Sequence, residues 1–130
     1  YRDVSLALKD KVAVIGSAGM CYYMWGWDWG SPGFITGIGN IWPEVEIEFW
    51  QLLQQGKRDA AFKIAAEKDM PYIRYIKSKP KRYNYWSAVK ALLEKRGIVG
   101  GPMRPPLLDW PQEDLPELYA EMRRIGLLQD

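Results

Sequence analysis

The segment KVAVIGSAG, residues 11–19, decides the fold because it is apolar at every position from Val12 to Ile15 and then ends at a glycine. A run without polar alternation is typical of a strand that is covered on both faces, as in parallel sheets. A second run of this kind, GFITGIG at residues 33–39, follows an aromatic block that is long enough for one crossover helix with its loops. The two segments therefore predict a βαβ unit.

The chain after the second run is predicted to be mainly helical. PEVEIEFWQLLQQG, residues 43–56, begins with a proline and acidic residues and ends at a glycine. These are the usual start and stop signals of a helix. Apolar residues at helical spacing, or helix start signals, also predict helices in three further segments, 57–79, 84–97 and 111–127.

Two parallel strands do not make a complete sheet, because their outer edges present unpaired N–H and C=O groups. The sequence contains no other strand pattern, so we expect the sheet to need neighbours that this chain does not contain. The start at Tyr1 in YRDVSLALKDK, rather than at a methionine, agrees with a piece of a longer protein. We divide the chain into residues 1–56, which hold the two βα units, and residues 57–130, which form a helical region.

Composition excludes several functional classes. The 130 residues carry a formal net charge of +2 with acids and bases interleaved, which gives no strong field for nucleic acid. The longest uncharged run, Val12 to Trp27, is too short and too rich in glycine to span a membrane. The single Cys21 and the lack of a secretory signal favour a reducing, cytoplasmic location. The absence of histidine removes the usual metal ligand and the commonest general base.

Three motifs give a more specific indication. VIGS at 14–17 and GFITGIGNIWP at 33–43 are followed by VKALLEKRGIVGGPMRPPL at 89–107. In this order and spacing they resemble the C-terminal part of the dihydrodipicolinate synthase and N-acetylneuraminate lyase family, over about residues 3–128. The resemblance implies an α/β fold, namely strands seven and eight of a (β/α)8 TIM barrel followed by a C-terminal helical bundle.

The resemblance also implies a chemistry. Members of this family are class I lyases, in which a lysine on strand six forms a Schiff base with pyruvate or another 2-keto acid and a tyrosine on strand five moves protons. Neither a metal nor an organic cofactor is expected, because the lysine itself acts as the electron sink. The sequence does not distinguish aldol cleavage from dehydration.

No lysine of this chain matches the catalytic position. Lys9 and Lys11 precede the first predicted strand, and the others fall in the helical half, at positions 57, 63, 68, 77, 79, 81, 90 and 95. We therefore expect no catalytic residue in this chain and no activity from it alone. The catalytic lysine and tyrosine would lie in the remaining N-terminal part of the barrel, in the same or a separate chain.

The candidate substrate-binding residues follow the two predicted strands, because active sites of such barrels lie at the carboxyl ends of the strands. They are Gly16, Ser17 and Ala18 after the first strand, and Ile35, Thr36 and Gly37 in the second. The resemblance places Ile35 beside the Schiff-base lysine, and Ser17 and Gly37 near the distal part of the substrate. Sialic-acid lyases carry acidic residues where Ala18 and Gly19 stand here, which argues against sialic acid as the substrate.

The aromatic block CYYMWGWDW at 21–29 has three interpretations. In one of them Met20, Tyr22 or Tyr23 contacts an extended substrate, such as an aromatic one. On a barrel its tryptophans would cover the outside or a subunit contact, in a homo-oligomer such as a dimer or tetramer. On a strand, Trp25, Trp27 and Trp29 would form a flat face for stacking. The competing functional hypothesis is accordingly a non-catalytic helical binding or interaction module with an aromatic face. A barrel relative that has lost catalysis and acts as a regulator is a third possibility.

Overall fold

The computed structural model describes residues 1–8, 10–16, 19–80 and 83–129, and most of these residues are helical. Two short 3-10 helices, Ile38–Asn40 and Gln112–Asp114, and a π-helical turn, Ala65–Asp69, supplement the α-helices. The α-helices are α1 (Arg2–Leu8), α2 (Met20–Asp28), α3 (Pro43–Gln54), α4 (Arg58–Ile64), α5 (Met70–Ser78), α6 (Tyr85–Lys95) and α7 (Leu115–Arg124).

The predicted α/β fold with strands seven and eight of a TIM barrel is wrong for this structure. We call residues 12–16 the first segment and residues 33–37 the second segment. They meet in one isolated parallel bridge between Gly16 and Phe34, and the described residues contain neither a strand nor a sheet. The bridge consists of two backbone hydrogen bonds, from Gly16 N–H to Gly33 O at 3.4 Å and from Ile35 N–H to Gly16 O at 2.8 Å.

The physical reason is that a buried parallel strand needs a neighbour on each edge and a cover on each face. Here the two segments run parallel, with α2 between them in sequence, but no further strand pairs with either outer edge in the described ranges. Val12 and Ile15, which the apolar pattern would bury, are about half exposed. The apolar runs are thus present without the sheet that would make them strands.

The helices form where the sequence carries local start and stop signals. α3 has Pro43 at its first position and is followed by Gly56, whose φ of 72° is readily adopted only by glycine. α6 begins with a capping box, in which Asn84 Oδ1 accepts a hydrogen bond from Ser87 N–H at 2.9 Å. The helix predicted over 57–79 is divided into α4 and α5 by the π-helical turn just before Pro71, because proline lacks the N–H that would continue the α-helical bonding.

One hydrophobic core joins the helices, and it contains side chains from both halves of the chain. Its members include Met20 and Tyr23 of α2, Phe49 of α3 and Leu92 of α6. No helix in the described part of the chain is long and apolar enough to cross a membrane.

Candidate functional site

The predicted substrate-binding residues are found where the two segments end. Gly16 and Ile35 are adjacent across the bridge, and Thr36 and Gly37 follow directly. Ser17 and Ala18 lie outside the described residues. The structure therefore brings Gly16 together with the Ile35–Gly37 stretch.

Ile35 and Thr36 line an open cleft of about 590 Å³ between the second segment and α3, and Glu46 of α3 forms part of its wall. The Ile35 side chain is 64% exposed. Thr36 Oγ1 accepts a hydrogen bond from Ile38 N–H at 3.3 Å, which fixes the turn that follows the second segment. The cleft thus combines an apolar side chain, a hydroxyl and a carboxyl group.

Behind this cleft lies a group of side chains that the sequence did not indicate. It consists of Glu46, Asp69, Tyr72 and Tyr85, which we call the buried polar cluster. The carboxyl oxygens Glu46 Oε1 and Asp69 Oδ1 are buried and have no hydrogen-bond partner among the described residues. A buried polar group without a partner costs free energy, so its retention points to a role beyond packing.

Asp69 holds the beginning of α2. It is only 2% exposed, and its Oδ2 accepts a hydrogen bond from Cys21 N–H at 3.1 Å. A carboxylate at this position interacts favourably with the positive end of the helix dipole. Gly19 lies directly against it, since a Cβ atom there would be 2.5 Å from Asp69 Oδ2.

Two further glycines make room for members of the cluster. A Cβ atom at Gly39 would collide with the Glu46 carboxylate, and one at Gly37 would lie 2.6 Å from Cε1 of Tyr85. Tyr85 in turn meets Tyr72 edge-on, with ring centroids 5.7 Å apart. The glycines at and after the end of the second segment thus leave space for the side chains of Glu46 and Tyr85, which come from α3 and α6.

Burial dominates the electrostatics of the cluster. It raises the pKa of Asp69 and of Glu46, although a hydrogen bond with Thr36 opposes the shift of Glu46. Burial also raises the pKa of Tyr85 to about 12, reinforced by the charges of Asp69 and Glu46. The pKa values of both carboxyl groups therefore lie above their ordinary values, and burial is the main cause.

Cys21 does not act as a nucleophile in these surroundings. Burial and then the charge of Asp69 raise the pKa of its thiol to about 12, so the reactive thiolate does not form near neutral pH. No group of three or more acidic or cysteine side chains in the described ranges converges as metal ligands would.

Asp69 is expected to make the free energy of unfolding depend on pH. Its pKa is raised above the ordinary value of 3.8, so the folded state binds the proton more tightly than the unfolded state. Its contribution is therefore fully present below that ordinary value and is lost as the pH rises through the raised pKa. Asp69→Asn should flatten this decline of the free energy of unfolding, measured by urea denaturation from about pH 4 to about pH 7.

Glu46 of α3, Cys21 of α2, Tyr72 of α5 and Tyr85 of α6 face Asp69 and remain in the variant. Because burial and also the charge of Asp69 raise the pKa of Glu46, the difference between the two curves measures Asp69 together with its effect on Glu46. Asp59→Asn, at an exposed position of α4, is the matched control and should keep the slope of the unmodified chain. Parallel curves for Asp69→Asn and the unmodified chain would contradict the expected linkage.

Comparison with curated proteins finds relatives of one kind, although no protein-family model matches the chain. An uncharacterized DapA-like lyase of Halobacterium salinarum is 31% identical over 103 residues, which cover 79% of this chain and 32% of that protein. A probable 5-dehydro-4-deoxyglucarate dehydratase of Bradyrhizobium diazoefficiens is 32% identical over 104 residues, covering 78% and 32%. One of Chelativorans sp. is 24% identical over 127 residues, covering 95% and 41%.

This chain spans between 32% and 41% of the length of these three relatives. Their names combine lyase and dehydratase activities, and the matches cover most of the present chain. The family resemblance of its motifs is thereby confirmed. The chain belongs to the family of DapA-like lyases and dehydratases, which is the dihydrodipicolinate synthase and N-acetylneuraminate lyase family.

Proposed function

We propose that this chain is part of a Schiff-base-forming lyase, an aldolase or hydro-lyase, that acts on pyruvate or another 2-keto acid. It would contribute the side of the pocket formed by Gly16, Ser17, Ala18 and the stretch Ile35–Gly37. The observation that carries the proposal is the match to curated lyases and dehydratases over most of the chain. The convergence of Gly16 and Ile35 at one bridge supports the placement of the pocket.

The distribution of lysines supports a catalytic lysine from elsewhere. Lys11 precedes the first segment, and the amino groups of the helical lysines are used structurally in several cases. Lys68 Nζ donates to Ile125 O at 2.7 Å, and Lys79 pairs with Glu117 at 2.5 Å. A lysine that forms a Schiff base must instead be buried at the site with a lowered pKa.

The surface around the two segments supports a partner, in the same or a separate chain, that packs against them. Large apolar side chains of α1 and of both segments are half exposed or more, and the segments keep unpaired edges. An additional strand on either side would cover them and satisfy the free backbone groups. These side chains are Val4, Leu6, Val12, Ile15 and Ile35.

Borohydride trapping tests the proposal. The protein that contains this chain is incubated with pyruvate, reduced, and analysed by intact and peptide mass spectrometry. We expect the reduced pyruvate adduct on a lysine outside residues 1–130, and none on the 15.1 kDa chain itself. An adduct within these residues, or no adduct on a complete and folded protein, would overturn the proposal.

A second candidate function is a helical binding module with an aromatic face. The observation that favours it is the exposure of Trp25, at 56%, next to Tyr22 with ring centroids 6.0 Å apart. Trp27 argues against a flat face, because it packs inward on Trp50 at 5.7 Å. Quenching of tryptophan emission by added sugar, together with loss of that quenching in Trp25→Ala, would support this module. Emission that does not change when sugar is added would exclude it.

A further inference from the structure

Tyr85 contacts the stretch Ile35–Gly37 at Gly37, and we call this stretch the pocket wall. Tyr85 comes from α6, 48 positions after Gly37 in the chain, and its ring occupies the space that a side chain at Gly37 would need. Trp86 stands beside it, with Cζ3 only 3.0 Å from the position of a Cβ atom at Gly37. The wall and α6 are therefore in direct and tight contact.

The contact is polar as well as steric. The Tyr85 hydroxyl oxygen lies only 2.7 Å from the position that a Cβ atom at Gly37 would take, so this polar group is close to the Gly37 backbone. Tyr72 is completely buried, and the charge of Asp69 acts on the hydroxyls of both tyrosines. The hydroxyls of both tyrosines thus lie within the field of Asp69, and the Tyr85 hydroxyl also lies beside Gly37.

Ile35 is tied to the first segment, because its N–H donates to Gly16 O at 2.8 Å, whereas the hydrogen bonds of the turn that follows are local. Asn40 Nδ2 donates to Gly37 O at 3.2 Å, and Thr36 Oγ1 accepts from Ile38 N–H at 3.3 Å. Such short-range hydrogen bonds shape the turn but do not fix its position relative to the rest of the molecule. A contact from a distant, well-packed helix can do so, and α6 is anchored in the core by Ala88 and Leu92.

We propose that Tyr85 is a positioning residue for the 2-keto-acid site, an inference that rests on the proposed function above. Tyr85 acts through Gly37: its hydroxyl and ring hold the backbone of Ile35–Gly37 where this stretch walls the pocket. The ring of Tyr72 packs edge-on against Tyr85 in turn. The C-terminal helices thereby determine the geometry of the pocket, although they carry none of the wall residues.

The first test measures the wall itself in the 130-residue chain. Amide hydrogen exchange and 15N chemical shifts are recorded for the unmodified chain, for Tyr85→Phe and for Tyr119→Phe. Tyr119 is a matched control because its hydroxyl donates to Ala91 O at 3.5 Å, away from the Ile35–Gly37 stretch. We expect Tyr85→Phe to shift the Gly37 resonance and to speed its exchange roughly fivefold, because the polar contact of the hydroxyl with the Gly37 backbone is lost. Tyr119→Phe should change neither.

The second test measures the reaction in the protein that contains this chain, as in the borohydride trapping above. Tyr85→Phe should slow formation of the reducible pyruvate adduct roughly tenfold while the final adduct yield per folded molecule is unchanged. Tyr119→Phe should keep the rate of the unmodified protein. A purely structural role would lower thermal stability but would not alter the rate per folded molecule.

The outcomes separate the two proposals. If the unmodified protein forms no adduct, the proposed function is wrong, and the exchange of Gly37 alone decides whether Tyr85 holds the wall. An unchanged Gly37 amide, or an unchanged adduct rate, in Tyr85→Phe would overturn the positioning role. If Tyr85→Phe does not fold, Gly37→Ala disturbs the same contact from the opposite side and should give the same pair of changes.

Discussion

Replacing Gly19 by alanine is expected to lower the free energy of unfolding by about 3 kcal/mol. The new Cβ atom would lie 2.5 and 2.7 Å from the two carboxylate oxygens of Asp69. Asp69 is 2% exposed, so its carboxylate has no solvent to turn into and would be pushed away from the N–H of Cys21. The substitution therefore combines an overpacked contact with the loss of a charged hydrogen bond at the start of α2.

Urea denaturation at neutral pH measures this effect, and Gly33→Ala serves as its control. A Cβ atom at Gly33 would have no neighbour within 4 Å, so this variant should stay within about 0.5 kcal/mol of the unmodified chain. The double variant Gly19→Ala with Asp69→Ala should lose less than the sum of the single losses, because the collision is gone. Equal stabilities of Gly19→Ala and Gly33→Ala would show that the contact is not as tight as the structure has it.

Phe49→Ala is expected to cost about 4 kcal/mol, since it empties a fully buried aromatic site. Phe49 is 0% exposed and lies in α3, where its ring meets Phe34 edge-on at 5.7 Å. Phe34 belongs to the bridge with Gly16, so the packing of α3 also supports the pairing of the two segments. We therefore expect a local consequence in addition to the global one, namely faster amide exchange of Ile35, whose N–H donates to Gly16 O.

Phe62→Ala is the matched control, because the same side chain is 50% exposed in α4. It should cost less than about 1 kcal/mol and leave the exchange of Ile35 unchanged. Both quantities come from urea denaturation and amide exchange on the same samples. If Phe49→Ala were as mild as Phe62→Ala, the core between α3 and the second segment would be packed differently from the structure.

The helices were predictable because their signals lie within the segments themselves. Pro43 and Gly56 delimit α3, and the residues around Asn84 form the cap of α6. Such signals work through backbone groups a few residues away, so tertiary context does not change them. Whether the two apolar segments form strands was not predictable in the same way, since a strand depends on neighbours that can lie anywhere in the sequence or outside it.

In the candidate site, too, the features with a local sequence signal were predictable and the contacts between distant residues were not. The glycines after each apolar run indicated where the two segments end, and the structure brings Gly16 and Ile35 together there. The partners behind them had no comparable signal: Asp69 stands 48 residues from Cys21, the residue whose N–H it accepts. In the sequence Asp69 is one charged residue among several on a long helical stretch.

The sequence by itself thus determined the family, the positions of the main helices and the location of the two segment ends. Only the tertiary structure decided that the two segments form a single bridge, and that Asp69, Glu46 and Tyr85 lie against the glycines of their loops. The reason is the range of the interactions involved. Caps and helical periodicity act over a few residues, whereas strand pairing and the burial of a carboxyl group depend on which distant surfaces meet.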